Sequence, residues 1–463
     1  MSQSDDHISE TAPPPKLRAG ASDISWPNRR YAWYVVALLT LAYALAILDR
    51  VSIALLIEPL EASLHITDTQ FGLLQGLAFS LFYSVLGLPI GLLCDRTKRT
   101  PILTAALALW SLATMGCSLA TTFEELFFAR ILVGVGEAAL VPAAASLIAD
   151  LFPPSTRPKA YGVFVTGSSL GTAAAFLFSG LFLHLSHGLI NDIPHLASNF
   201  QSWQLVFIMC GMPGVALSLI MLLTMREPKR QGVETTKTEF SFKPIFKLFS
   251  KQPVAFATLI GGTVLNLVCV YAIIGWLPAM FIRVHNWEAS TAGQILGLVG
   301  LPISLFAAAN SGWVISWLNS KGRTDAPMLA AAACGISMLI FGTATSLAPT
   351  GLLAIIAYAL NALFVNWNIS AVYSGVSQIS PNQLRGQVMA LHTIASSLIA
   401  MTAGNFFVGF LTDTFFTSPE GISYALAIVF FTCGTGSAIL LTLGRHAFAK
   451  AVAANEEKVT SND

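Results

Sequence analysis

Apolar runs of twenty or more residues recur from one end of the chain to the other. A helix of about 20 such residues crosses a hydrocarbon core of about 30 Å. In that core, only helices and closed barrels satisfy their own backbone hydrogen bonds. Runs this long predict an all-α integral membrane protein. Charge content agrees, at 11% of 463 residues against about 25% in soluble domains. No nucleic-acid partner is expected of such a chain.

Polar breaks divide the runs into twelve helices, centred near 45, 81, 110, 137, 172 and 213, then near 268, 304, 337, 364, 399 and 433. The reading is twelve transmembrane helices in two six-helix bundles, residues 31–225 and 254–444. Residues 1–30 are polar and proline-rich and lack the basic start and apolar core of a signal peptide; they are expected to be a disordered cytoplasmic tail. Residues 226–253 are the only long basic segment, read as a cytoplasmic linker with a short interfacial helix at "SFKPIFKLF"; residues 445–463 form a second tail. The six cysteines show no pairing or metal spacing. Neither metal nor cofactor is expected.

Basic residues set the orientation. With both termini cytoplasmic, 22 of the 25 Lys and Arg fall on the cytoplasmic side, leaving only Arg50, Arg130 and Arg283. This is the positive-inside pattern. A multi-pass protein of a bacterial inner membrane follows. The halves also echo each other: "RPKAYGVFVTGSSLG" from Arg157 and "RGQVMALHTIASSLI" from Arg385 each place Ser-Ser-Leu eleven to thirteen residues after the arginine. A cytoplasmic arginine at the foot of equivalent helices indicates parallel repeats.

"GLLCDRTKRTP" (91–101), between the second and third helices, and "RILVGVGEAAL" (130–140), in the fourth, resemble the signatures of the major facilitator superfamily. "LDR" in the first helix, "TQFGLLQ" (69–75), "VGVGEA" (133–138) and "LIADLFPPSTR" (147–157) are similar to its Spinster-like branch. The resemblance implies a carrier that alternates access to a central site and is a monomer by default. In that family the cluster of Asp95, Arg96 and Arg99 latches the two halves on the cytoplasmic side, and Asp150 stands where it can pair with Arg96 or Arg99. The chain departs from the pattern at Ser316 and Trp317, where the second half would carry the equivalent Asp and Arg.

Charges inside apolar helices are costly, by roughly 2.5–3.5 kcal/mol at the bilayer centre, and mark function by default. The first helix carries Asp49 and Arg50; the fourth carries Arg130 and Glu137, seven residues apart. Seven residues are two turns, about 10 Å along nearly one face. If the two helices are neighbours, as the resemblance implies, these groups line one cavity. A carboxylate that loses a guanidinium partner in a low dielectric takes up a proton, whereas arginine stays charged. Asp49 and Glu137 are therefore expected to couple protons, by competing with an anionic substrate group for Arg130 or Arg50.

The second half offers amides and aromatics instead, with Tyr271 in the seventh helix and Asn366 and Trp367 in the tenth as candidate substrate contacts. One charged wall and one apolar, aromatic wall suit an amphipath. The expected activity is secondary, proton-coupled transport of an amphipathic anionic or zwitterionic substrate, and the Spinster resemblance implies lysolipids or sphingoid phosphates. Protons, that small substrate and membrane lipids are the expected partners. The alternative is a proton symporter for small organic anions such as sugar acids or carboxylates. An enzyme is not expected: "GSSLG" (167–171) matches a serine-hydrolase elbow only formally, because that motif needs a strand-to-helix turn.

Overall fold

The structure, a computed structural model, describes residues 26–193, 195, 200–231, 242–381 and 383–460. The expectations for residues 1–25, 232–241 and 461–463 lie outside them. Every regular element among the described residues is helical, and twelve helices are long and apolar enough to cross a membrane. Spans 1 to 6 are Arg29–Leu55, Asp68–Cys94, Arg99–Leu119, Phe123–Leu151, Arg157–Asp192 and Ser202–Thr224. Spans 7 to 12 are Pro253–Arg283, Ala289–Ser320, Ala326–Ser346, Gly351–Ile379, Arg385–Thr414 and Gly421–Asn455. Span 12 runs on into residues read from sequence as tail. The segment "RHAFAKAVAANEE" is rich in strong helix formers and lacks a proline to stop it.

Each half repeats one packing scheme. Spans 1 and 5, 2 and 4, and 3 and 6 pack together, as do 7 and 11, 8 and 10, and 9 and 12. The repeat arginines make equivalent bonds: Arg157 Nε donates to Phe152 O at 3.4 Å and Arg385 Nε to Ser380 O at 3.1 Å. Each so closes the end of the preceding span, whose last carbonyls have no partner within their own helix. Before span 7 lies the short helix Phe242–Lys251. It buries Ile245 and sets the Phe249 ring 4.5 Å from Phe256, leaving Lys243, Lys247 and Lys251 exposed. Sequence period and contacts agree here.

Among the described residues the halves meet most closely through spans 2 with 11 and 5 with 8, from the end opposite the termini to mid-span, where Ser80 Oγ lies 3.0 Å from Thr402 Oγ1. Two glycines permit this approach. A Cβ on Gly409 would stand 2.2 Å from Asp68 O, and one on Gly293 would stand 2.4 Å from Phe176 O. Toward the termini the halves diverge, leaving a crevice of about 470 Å³ between spans 2, 4 and 11. Its inner end is lined by Tyr83 and Ala138, next to the charged residues of spans 1 and 4.

Candidate functional site

Both charged spans break their helices where the charges sit. In span 1 the α-helix stops at Val51 and continues as a 3₁₀ turn, Ser52–Leu55. In span 4 it stops at Glu137 and resumes at Leu140. Pro142 accounts for the second break, since its ring displaces the carbonyl four residues earlier and it has no N–H to donate. The first break turns the carbonyls of Asp49 and Arg50 toward side-chain donors, and the Ser52 hydroxyl reaches the first at 3.3 Å. Arg130 takes them: Nη1 donates to Asp49 O at 3.1 Å and Nη2 to Arg50 O at 3.3 Å. Arg130 is completely buried. Its guanidinium therefore serves as a cap on span 1 and does not border the crevice.

Arg50 takes the exposed position. Its Nη2 donates to Glu137 Oε2 at 2.5 Å, and its side chain keeps 15% of its surface accessible while that of Glu137 keeps 1%. The guanidinium lies 4.2 Å from the Phe79 ring centre and 5.1 Å from that of Tyr83. Those faces hold a cation without competing for its hydrogen bonds. Asp49 is 1% exposed. Its Oδ1, Glu137 Oε1 and the Nε atoms of Arg50 and Arg130 make no hydrogen bond among the described residues. Four ionisable groups thus meet where water is scarce, with bonding capacity left over. An arrangement of this kind can exchange partners, because an anion at Arg50 would compete with Glu137 for the guanidinium.

From Tyr83, the ring beside Arg50, the crevice runs toward the termini past Leu88 and Leu92 of span 2, Val141 of span 4 and Ile394 of span 11. Ser84, Gln387 and Thr393 are its polar edges. Tyr271 is half-buried beside Gly404, packed against an apolar cluster that spans both halves and another built almost wholly by the first half. Asn366 and Trp367 face a different neighbour: Asn366 Nδ2 donates to Ser304 O at 3.1 Å and Trp367 Nε1 to Asn310 Oδ1 at 2.8 Å. Both bonds tie span 10 to span 8. His392, with Nε2 3.1 Å from Thr263 Oγ1, is a buried link between spans 11 and 7.

At the foot of the first half, Arg99 is buried and bonded to Asp150, to Ser146 O at 3.1 Å and to Glu227 Oε1 at 2.8 Å. Glu227 also accepts the Thr100 amide at 2.8 Å. Burial would raise this carboxyl, but those two donors hold it below its usual range. Here Arg99 and Asp150 lock spans 3, 4 and 6 to one another within one half. Arg96 is exposed, and Asp95 lies in the last helical turn of span 2 with a side chain outside the described ones. Sequence reasoning missed Glu227, which is hidden in a basic linker. It also missed Asp325, which receives Arg445 Nε at 2.6 Å and ties span 9 to span 12.

A second cluster was legible only as a leftover. Arg283, the third arginine outside the cytoplasmic set, binds Glu58, Glu61 and Asp68 at the far end of the molecule. Glu58 and Asp413 carried no assignment from sequence, yet both join the halves there.

Residues 39–404 match the Major Facilitator Superfamily. The chain is 26% identical over 299 residues to an MFS-type efflux pump of Mycolicibacterium smegmatis, a match spanning 65% of this chain and 64% of the pump. It is 23% identical over 419 residues to the sphingosine-1-phosphate transporter SPNS2 of Xenopus tropicalis, covering 85% and 77%. A galacturonate transporter of Dickeya chrysanthemi is 30% identical over 207 residues, covering 44% and 55%. Among solved structures, a bacterial homologue of the human lysosomal transporter Spinster, inward-facing and unoccupied, matches with a TM-score of 0.77 at 24% identity, covering 92% of this chain and 98% of that one.

Proposed function

Because this chain belongs to the Major Facilitator Superfamily, we propose that it is a proton-coupled secondary transporter for an amphipathic anion or zwitterion, of lysolipid or sphingoid-phosphate type. The family makes it a transporter and not an enzyme; "GSSLG" lies within the helix of span 5. The proposed cargo places its charged head at Arg50 and its tail along the apolar wall formed by Leu88, Leu92, Val141 and Ile394. The observation that carries this reading is that the only accessible guanidinium of the central cluster is held by a buried carboxylate at 2.5 Å. Displacing Glu137 from Arg50 leaves a buried carboxylate unpaired, which favours protonation. Asp49, one residue away on span 1, provides a second proton acceptor. Proton uptake and cargo binding are thereby exchanged at one guanidinium. The basic foot of the molecule supports the reading that both termini are cytoplasmic, and in that reading the crevice opens inward in a bacterial inner membrane.

Two measurements test this. Proteoliposomes with an imposed pH gradient should concentrate substrate with the wild type and lose gradient-driven accumulation with Asp49→Asn or Glu137→Gln. Accumulation at the wild-type level by both variants removes the coupling scheme. A thermal-shift screen at pH 6 and pH 8 decides the cargo. Stabilisation by lysolipids or sphingoid phosphates supports the amphipath, whereas stabilisation by sugar acids alone transfers the same site to small organic anions, the class of the galacturonate relative.

A further inference from the structure

At the end opposite the termini one arginine is outnumbered. Arg283, closing span 7, donates from Nε to Glu58 Oε1 at 2.6 Å and from Nη2 to Glu61 Oε2 at 2.7 Å. Its Nη1 reaches both oxygens of Asp68, at 2.9 and 3.0 Å. Glu58 and Glu61 lie on the short helix Ile57–Leu64, and Asp68 opens span 2. The clamp therefore joins the first half to the second. Beside it Asp413 of span 11 accepts the amides of Asp68 and Thr69 at 3.2 and 2.8 Å, a second link across the halves. All five charged groups line one cavity of about 520 Å³.

The charges do not balance. One guanidinium faces three carboxylates, with a fourth alongside, and neighbouring like charges disfavour full ionisation. The four acids differ in what supports their charge. Glu58 is 45% exposed and solvated. Both oxygens of Asp68 are bonded to Arg283, and Asp413 rests on the N-terminal amides of span 2, where a negative charge is favoured. Only Glu61 has a buried oxygen, Oε1, with no hydrogen bond among the described residues. Nearby histidines do little to restore the balance: His65 is exposed at the end of the short helix, and burial lowers His285, which disfavours its charge.

We propose that closing this face captures one proton on Glu61 and that opening it releases that proton. Burial, and then the neighbouring Asp68 carboxylate, push the Glu61 carboxyl up to about 8 despite Arg283. An open, solvated glutamate titrates near about 4.3. Between those values the closed state holds a proton that the open state lacks. The closed form is then favoured most below the lower value and loses ground as pH rises toward the upper one, by up to about tenfold per pH unit.

The inference stands apart from the central coupling scheme, and its test disables that scheme. The full chain carrying Asp49→Asn and Glu137→Gln is placed in nanodiscs, with spin labels at the exposed positions Glu124 and Glu420, one on each half. Double electron–electron resonance is recorded from pH 5 to 8.5. The label distance should widen as pH rises. Adding Glu61→Gln, a neutral isostere, should hold the short distance at every pH. Asp68→Asn should instead move the transition to lower pH, because it removes the charge beside Glu61. A pH response that survives Glu61→Gln, or one already absent in the Asp49/Glu137 background, overturns the proposal.

Discussion

Gly409→Ala should force the far face open. The new Cβ would stand 2.2 Å from Asp68 O, 2.5 Å from Asp68 C and 2.9 Å from Thr69 N, where ordinary contact begins at 3.4 Å. Every one of those atoms is backbone, so no side chain can turn aside. Span 2 must retreat by about 1.2 Å to restore contact with the oxygen. The Asp413 bonds to the Asp68 and Thr69 amides, now 3.2 and 2.8 Å, then pass beyond useful length. Overpacking costs about 1–3 kcal/mol, and the two bonds, made by an exposed carboxylate, add less than their nominal value. A net penalty of about 2 kcal/mol falls on the closed state alone, because an open face relieves the contact. At 1.4 kcal/mol per decade, that is close to thirtyfold in the closed-to-open ratio. The distance between labels at Glu124 and Glu420 reads it. Gly87→Ala, whose Cβ would meet nothing within 4 Å, is the control and should not widen the face. A folded Gly409→Ala protein with the wild-type distance distribution would refute the argument that backbone apposition, and not side-chain bonding, sets how closely the halves approach.

Two further outcomes follow from the ion pairs. Glu227→Gln should lower the thermal midpoint, since it weakens charged hydrogen bonds to Arg99 and Thr100 worth roughly 1.5–3 kcal/mol before solvent screening; the deficit should be equal at pH 6 and pH 8. The sign follows from the depressed carboxyl: its stabilisation is complete above the unfolded value and is lost only as pH falls through the folded one. Arg50→Lys and Arg130→Lys should separate two roles. The first should raise the substrate KM severalfold with little change in thermal midpoint. The second, by leaving carbonyls of span 1 unsatisfied, should lower the midpoint by a few degrees and leave KM within about twofold.

Span count, repeat and central cluster were legible in the sequence because each is written in a local signal. Twenty-residue apolar runs give spans, and Arg157 and Arg385 mark equivalent feet. Charges in spans 1 and 4 gave Asp49, Arg50, Arg130 and Glu137, and a two-turn spacing put the last two on one face. What the sequence could not convey was depth. Arg130 and Arg50 look alike in a one-dimensional reading, and only the helix break after Val51 sends one to backbone carbonyls and leaves the other beside the crevice, against the Tyr83 ring. The far-face clamp was hidden for another reason. Arg283 meets acids more than 200 positions away, and no helical period links them. Its one trace was arithmetic, as the third arginine that the positive-inside pattern left over.

The ion pairs also sort by what must move. Arg99 with Asp150 and Glu227, and Asp325 with Arg445, lie within single halves, and the second set inverts the signs of the first: a base opens span 3 against an acid after span 6, while an acid precedes span 9 against a base in the last third of span 12. Such a pair keeps its partner through any rigid-body motion of one half against the other, so burial can make it strong without slowing that motion. The Arg283 clamp and the Asp413 cap must break whenever the far face opens, and a contact that breaks in each cycle has to differ between states by only a few kcal/mol, or one state would empty. Its partial exposure and surplus of acids keep it within that range: water screens the pairs, and the unbalanced carboxylates make its strength depend on a proton instead of on geometry alone.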